Sequence, residues 1–169
     1  HLPLQAGSDR ILKRMNRTYT STEFLNLVDK IRQYIPNCAL TTDIIVGFPG
    51  ETEDEFLETL SVAEKVEFNS AYMFKYSSRP GTKASQYDEQ ITEDEKQDRL
   101  ERLIDLQLNK TLMQNKKHVG KISKVLVEKV SKKSNDQWSG RTEGGTWVVF
   151  DKTNEKIGDI IDVKIDDAR

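Results

Sequence analysis

Cysteine is the residue this sequence has least of, and long apolar runs are missing from it. Its single cysteine, Cys38, closes no intramolecular disulfide, which excludes a disulfide-stapled secreted scaffold and makes a reducing cytoplasm the expected compartment. One thiol is also too few for an iron–sulfur cluster, which needs several thiolates. No stretch nears the roughly 18 consecutive apolar residues of a bilayer-crossing helix, so no membrane partner is expected. The first residues, His1-Leu2-Pro3-Leu4-Gln5, have no basic leader, no apolar signal core and no initiator methionine. The chain is therefore read as beginning inside a longer protein.

What is present describes a globular chain of 169 residues, with 36% apolar and 32% charged positions. That length holds one medium domain, or a modest one followed by a small one. The formal net charge is -2, unevenly spread: residues 1–115 carry 14 basic and 19 acidic groups, residues 116–169 carry 12 and 9. A mildly basic tail on an acidic body suits an RNA-facing appendage and equally suits a solvated surface.

Three capping boxes announce helices. Thr20 with Glu23, Thr52 with Glu55, and Thr92 with Glu95 each place a hydroxyl where a free first-turn amide needs an acceptor, with a carboxylate reaching back. Behind Thr20, the spacing of Phe24, Leu27, Val28, Ile31 and Ile35 predicts one buried face that ends before Pro36. Residues 39–46 are β-branched enough for an internal strand and run into Gly47-Phe48-Pro49-Gly50-Glu51-Thr52, which opens the next helix with Phe56, Leu60 and Ala63 on one face. A second strand is expected over 70–76, a polar loop over 77–90 and a third helix over 93–115. Strands and helices alternating at these lengths predict βαβ units and a parallel sheet, with functional groups on the loops after the strand ends.

The texture changes near Lys116. Short β-rich runs at 122–130, 147–150 and 160–165, separated by turn-forming stretches, predict a small all-β barrel or sandwich. The boundary is placed so that residues 1–116 form the first domain and 117–169 the second, with the second domain's end read as truncated.

Several loops carry candidate chemistry. The Gly47–Thr52 turn allows close backbone approach and faces a helix N-terminus, so it is either a ligand cradle or a well-capped βα turn. His1 is a ligand, an acid–base group or an unremarkable terminal residue. Arg79, in Tyr76-Ser77-Ser78-Arg79-Pro80-Gly81-Thr82, holds an anion or decorates a surface turn. In the tail, Lys132, Lys133, Arg141, Trp138 and Trp147 mix positive charge with aromatic faces, as single-stranded RNA binding requires. Trp147, inside the apolar run Trp147-Val148-Val149-Phe150, is expected in the core rather than as a stacking surface.

Taken in order, His1-Leu2-Pro3-Leu4-Gln5-Ala6-Gly7-Ser8, Arg14-Met15-Asn16-Arg17, and the stretch from Leu40 through Thr41-Thr42-Asp43-Ile44-Ile45-Val46-Gly47-Phe48-Pro49-Gly50-Glu51 to Thr52 resemble the radical S-adenosylmethionine methylthiotransferases of the MiaB/RimO type. Ser70-Ala71-Tyr72-Met73-Phe74-Lys75-Tyr76-Ser77 and Arg79-Pro80-Gly81-Thr82 continue the match and look most like the tRNA-modifying MiaB branch. Val125-Leu126-Val127-Glu128, Ser131-Lys132-Lys133 and Ser139-Gly140-Arg141-Thr142 look like the TRAM domain that ends these enzymes. Ala6 stands where serine is usual in the family.

The resemblance implies an α/β fold class: the second half of a partial TIM-like radical SAM barrel with parallel strands, then a small all-β, OB-like TRAM domain. It implies S-adenosylmethionine as cofactor, and in the full-length parent two 4Fe-4S clusters, none ligated by this chain. In the family the reduced cluster cleaves the cofactor to a 5'-deoxyadenosyl radical, and an N6-isopentenylated adenosine beside the tRNA anticodon is methylthiolated. On this chain the resemblance points to Gln5, Thr42, Asp43, Gly47, Glu51 and Tyr76 as cofactor-shaping residues at the barrel mouth. It points to Lys132, Lys133 and Arg141 as contacts to a tRNA anticodon stem-loop. The chain alone is expected to be inactive, and exposed sheet edges make dimerisation or strand exchange an expectation. The alternatives are an RNA-binding module only, or a sister enzyme acting on a ribosomal protein or on threonylcarbamoyl-adenosine in tRNA.

Overall fold

The computed structural model describes residues 1–168. The chain forms two compact units, His1–Thr111 and the residues from Leu112 onward.

In the first unit, short helix α1 (Asp9–Arg14) and α2 (Ser21–Tyr34) lead to strand β1 (Thr41–Val46), followed by α3 (Glu53–Val66), strand β2 (Ser70–Lys75), a single turn of 3-10 helix (Lys83–Gln86) and most of the long α4 (Glu93–Lys116), whose last residues belong to the second unit. β1 and β2 pair in parallel, Thr41 opposite Ser70 through Val46 opposite Lys75. The opening residues extend this sheet on the far side of β1: the Leu2 and Gln5 amides donate to Thr41 and Asp43, and the Ile45 amide donates to Gln5. The expected parallel βα arrangement holds.

The capping signals behave as the spacing predicts, with one difference. Both halves of the box form at Thr20–Glu23 and at Thr52–Glu55. At α4 the Thr92 hydroxyl accepts from the Glu95 amide at 3.3 Å, but the Glu95 carboxylate engages Arg99 at 2.5 Å. The apolar stripe of α2 is narrower than its spacing suggests. Phe24 and Val28 are buried and Ile31 packs at the edge, whereas Leu27 and Ile35 stand exposed, because the helix is covered on one side only.

One core joins Leu4, Phe24, Val28, Ile44, Val46, Phe56, Val66, Phe68 and Leu103 behind the sheet. Strand alternation puts Thr42, Ile44 and Val46 on that helix-covered side. The opposite face presents Thr41, Asp43 and Ile45 beside Ser70, Tyr72 and Phe74, with both aromatic rings exposed.

The second unit is one antiparallel sheet in the order β5-β4-β3-β6, from β3 (Ile122–Val130), β4 (Gln137–Thr142), β5 (Trp147–Asp151) and β6 (Ile160–Lys164). The register shifts between Val127 and Lys129, a bulge that adds curl. The curled sheet fits an OB-like fold. β4 is the strand that sequence patterning misses, since Ser139-Gly140-Arg141 lacks β-branched residues. Its Gly140 passes so close to β3 that a Cβ there would lie 2.3 Å from the Leu126 carbonyl oxygen.

Candidate cofactor and RNA sites

The loop leaving β1 is held by a buried ionic chain. Gly47, at φ +70, donates its amide to Glu51 Oε2 at 2.7 Å, and Arg99 Nη1 donates to the same oxygen at 2.9 Å and to the Glu51 carbonyl at 3.0 Å. The Glu51 and Arg99 side chains are essentially inaccessible. Burial pushes the Glu51 carboxyl above the usual carboxylate range, while the Gly47 amide and the Arg99 guanidinium pull it back. Tightly paired charges therefore set the shape of this turn from beneath.

The other anchor is Glu55. Its Oε2 accepts from the Thr52 amide at 2.8 Å, and its Oε1 accepts from Arg10 Nε at 2.6 Å and from Ser8 at 3.1 Å. The Ser8 hydroxyl in turn caps α1. One carboxylate thus ties the first motif, His1–Ser8, to the turn that begins α3. The Arg10 guanidinium, first of all, and then the Thr52 amide and the Ser8 hydroxyl hold the Glu55 carboxyl down to about 2, against the opposing effect of burial. Its folded value lies below its unfolded one, so this contribution is complete above about pH 4.5 and is lost as pH falls toward about 2. Arg10 is half-exposed, so solvent screening limits the effect to roughly 1–2 kcal/mol. Urea unfolding across this range should show wild type losing its advantage over Glu55→Gln as pH falls. A constant difference between the two proteins would discount the Glu55 anchor.

Above these anchors sits an aromatic patch. Phe48 packs edge-on against Tyr76 at 5.1 Å and Tyr87 at 6.3 Å, and Arg14 lies over the Tyr87 ring while pairing with Glu89. The Gly50 amide donates to the Glu89 carbonyl at 2.8 Å, so the loop after β2 is strapped to the loop after β1. The Tyr76 hydroxyl is buried without a partner among the described residues.

The residues singled out from sequence divide into two groups. Asp43 lies on the open sheet face, where it accepts from His1 Nε2 at 3.2 Å, and Thr41 bonds the other ring nitrogen at 2.8 Å. Donation to a carboxylate fixes the proton on Nε2, so in the neutral ring Nδ1 accepts from Thr41. Gly47 and Tyr76 lie at the ends of β1 and β2, and the Tyr76 amide donates to Val46. Gln5 adopts φ +69, is nearly buried and accepts from Arg17 through its side-chain oxygen at 3.1 Å.

Thr42 and Glu51 differ from the expectation of a barrel-mouth position. Thr42 is fully buried on the helix side, accepting from the Leu4 amide, and Glu51 turns down into Arg99. Arg99 and Lys96 were not anticipated. The buried face of α4 runs Lys96, Arg99, Leu103, Gln107, a three-four rhythm carried mostly by polar residues that a search for apolar periodicity passes over.

The Tyr76 hydroxyl, buried without a partner among the described residues, lies beside an aromatic patch, and the Asp43 carboxylate lies on the open sheet face; such groups suit a ligand with both polar and apolar parts. An iron–sulfur cluster does not fit these residues: Cys38 is the lone thiol, and among the described residues no group of three His, Cys, Asp or Glu side chains is placed to hold a metal. Nor is any described helix long and apolar enough to cross a membrane.

In the second unit Lys132 and Lys133 lie exposed in the β3–β4 turn, with the Lys133 amide donating to Ser131. Arg141 lies four residues along β4 from Gln137, roughly 13 Å of strand, and pairs with Glu128 at 2.7 Å. The structure does not gather the three cations into one cluster. Trp147 corrects the sequence expectation: it is 49% exposed on the outer face, because Val148 and Phe150 take the inward positions of β5.

The model of the radical SAM superfamily matches residues 1–63, and that of the TRAM domain matches residues 116–169. Proteins named tRNA-2-methylthio-N(6)-dimethylallyladenosine synthase align along the whole chain. Those of Christiangramia forsetii, Clostridium tetani and Fusobacterium nucleatum are 48%, 51% and 50% identical to it over 99%, 98% and 100% of its length. Similarity to these synthases runs through both the radical SAM match and the TRAM match. The chain spans 35%, 36% and 39% of the length of those three relatives. The radical SAM match falls on the unit with the parallel sheet, and the TRAM match on the curled antiparallel sheet.

Proposed function

We propose that this chain is the part of a tRNA-2-methylthio-N6-dimethylallyladenosine synthase that carries the later portion of the radical SAM barrel, residues 1–116, and the TRAM domain, residues 117–169. The observation that carries this reading is identity at about half of all positions, along the whole chain, with proteins of that one name. In that role Asp43, Gly47 and Tyr76 border S-adenosylmethionine, and Gln5 closes the adjoining edge. Thr42 and Glu51 act from behind, fixing the Leu4 and Gly47 amides that the border is built on. When bound, the cofactor supplies the radical and methyl-donor chemistry of methylthiolation, and these residues orient it and keep water out. The two 4Fe-4S clusters of the parent take their ligands from other residues, so the 169 residues by themselves form no product.

Lys132, Lys133 and Arg141 attract the phosphates of a tRNA anticodon stem-loop, and a tRNA substrate places the enzyme in the cytoplasm. Unpaired sheet edges give the chain on its own a route to dimers or exchanged strands. Mass spectrometry of tRNA nucleosides from cells lacking the parent gene tests the reading. The 2-methylthio form of isopentenyl-adenosine should vanish and the unthiolated nucleoside accumulate. Loss of the thiolated threonylcarbamoyl-adenosine instead, or of a modified ribosomal protein, would assign the enzyme to a sister branch.

A further inference from the structure

The outer face of the TRAM sheet carries a feature that the basic residues read from sequence do not account for. Strand register aligns Ile160, Leu126, Arg141 and Trp147 in one row across β6, β3, β4 and β5. The three apolar members are 68%, 39% and 49% exposed, and Val149, two residues along from Trp147, is 53% exposed. The row spans four strands, roughly 14 Å.

Two cations stand over the indole, Lys129 Nζ at 4.1 Å and Arg141 Cζ at 5.2 Å from the ring centroid. Glu128 neutralises Arg141, and Asp162 pairs with Lys124 on the neighbouring strand. Lys129 makes no ion pair among the described residues. Exposed apolar side chains gathered in one contiguous row, rather than scattered singly, mark a contact surface. Cations over its ring hold the indole upright and put positive charge beside its face.

We propose that Trp147 is a stacking platform for an unpaired base of single-stranded RNA, with Lys129 receiving a phosphate beside that nucleotide. The inference rests on the RNA-binding role given above to the TRAM unit and names the residue that grips a base. Charge and shape commit the face to RNA: a flat aromatic surface with flanking cations and a short apolar row suits bases joined by phosphates, and OB-like sheets present such faces to oligonucleotides.

The test uses the full chain with Trp138→Phe, which leaves Trp147 as the only tryptophan. The probes are an unmodified single-stranded RNA of about eight nucleotides and an RNA duplex of the same length. Single strands should quench the Trp147 emission, and the duplex should not. Trp147→Ala should weaken single-strand binding roughly 5- to 100-fold at every salt concentration, while Trp147→Phe stays within a few-fold of wild type. Lys129→Ala should instead lower the salt dependence by about one phosphate contact.

Affinity unchanged in Trp147→Ala, but lost when Lys132, Lys133 and Arg141 are replaced together, would overturn the platform and leave RNA binding by this unit standing. Absence of RNA binding in wild type would overturn both. Dissociation of a dimer by Trp147→Ala, with RNA affinity intact, would make the face a contact between copies and would also sink the proposal.

Discussion

Replacing Arg99 by methionine should cost roughly 3–5 kcal/mol of stability at neutral pH, an effect far outside what surface arginines contribute. The guanidinium is 1% exposed and donates to a carboxylate that is equally buried. Without it, the Glu51 carboxylate would sit in the interior with only the Gly47 amide for compensation. Burial already raises the Glu51 pKa, and removing the cation would raise it further, so the carboxyl would take up a proton. The sign follows: a carboxyl whose folded pKa exceeds its unfolded one is penalised more as pH rises, so the deficit of Arg99→Met should shrink on acidification. Urea unfolding at pH 7 and pH 5 checks both statements. Adding Glu51→Gln to Arg99→Met should restore part of the loss, since the pair is coupled and the stranded charge is then gone. Loss of under about 1 kcal/mol in the single variant would mean that the turn after β1 does not depend on this pair.

The second large effect is expected at Gly7. A Cβ there would lie 2.4 Å from the Thr59 Cα and 2.6 Å from both the Glu58 carbonyl oxygen and the Thr59 nitrogen. These are backbone atoms of α3, and the Gly7 amide also donates to the Thr59 hydroxyl at 2.8 Å. No side-chain rotation relieves such an overlap, so the helix or the motif must move. Gly7→Ala should cost about 3 kcal/mol, at the upper end of overpacking penalties. At Gly47 the atoms a Cβ would meet belong to the flexible Lys96 side chain, and the cost of a substitution comes instead from the left-handed backbone at φ +70. Equal unfolding midpoints for Gly7→Ala and wild type would show that the His1–Ser8 segment does not pack tightly on α3.

Local signals proved legible where the physics is local. A capping box needs only residues three apart, and the boxes at Thr20 and Thr52 start helices as their spacing predicts. β1 and β2 announce themselves by β-branched and aromatic composition, and the turn between β1 and α3 by its glycines and threonine. β4 was hidden for the opposite reason. Its serine, glycine and arginine have poor strand propensity, and it exists because β3 and β5 pair with it from both sides. Trp147 was misread because an apolar run of four does not reveal which alternate residues face inward.

The candidate site shows the same division. From sequence, Asp43, Gly47 and Tyr76 could be named through the family resemblance alone. The difference between Asp43 and its neighbour Thr42 could not, since one residue of strand phase decides whether a side chain meets the open face or the helices. Glu51 looked like a residue of the mouth, but Arg99, 48 residues later, holds one oxygen of its carboxylate inward.

By itself, then, the sequence determined the parallel βα portion, the β-rich second unit, the family resemblance and the scarcity of thiols, because periodicity, caps, composition and motif order are written in adjacent residues. Only the tertiary structure decided that Arg99 anchors the turn after β1 and that Trp147 faces outward. Burial and ion pairing are set by which distant segments pack together, and no local pattern encodes that.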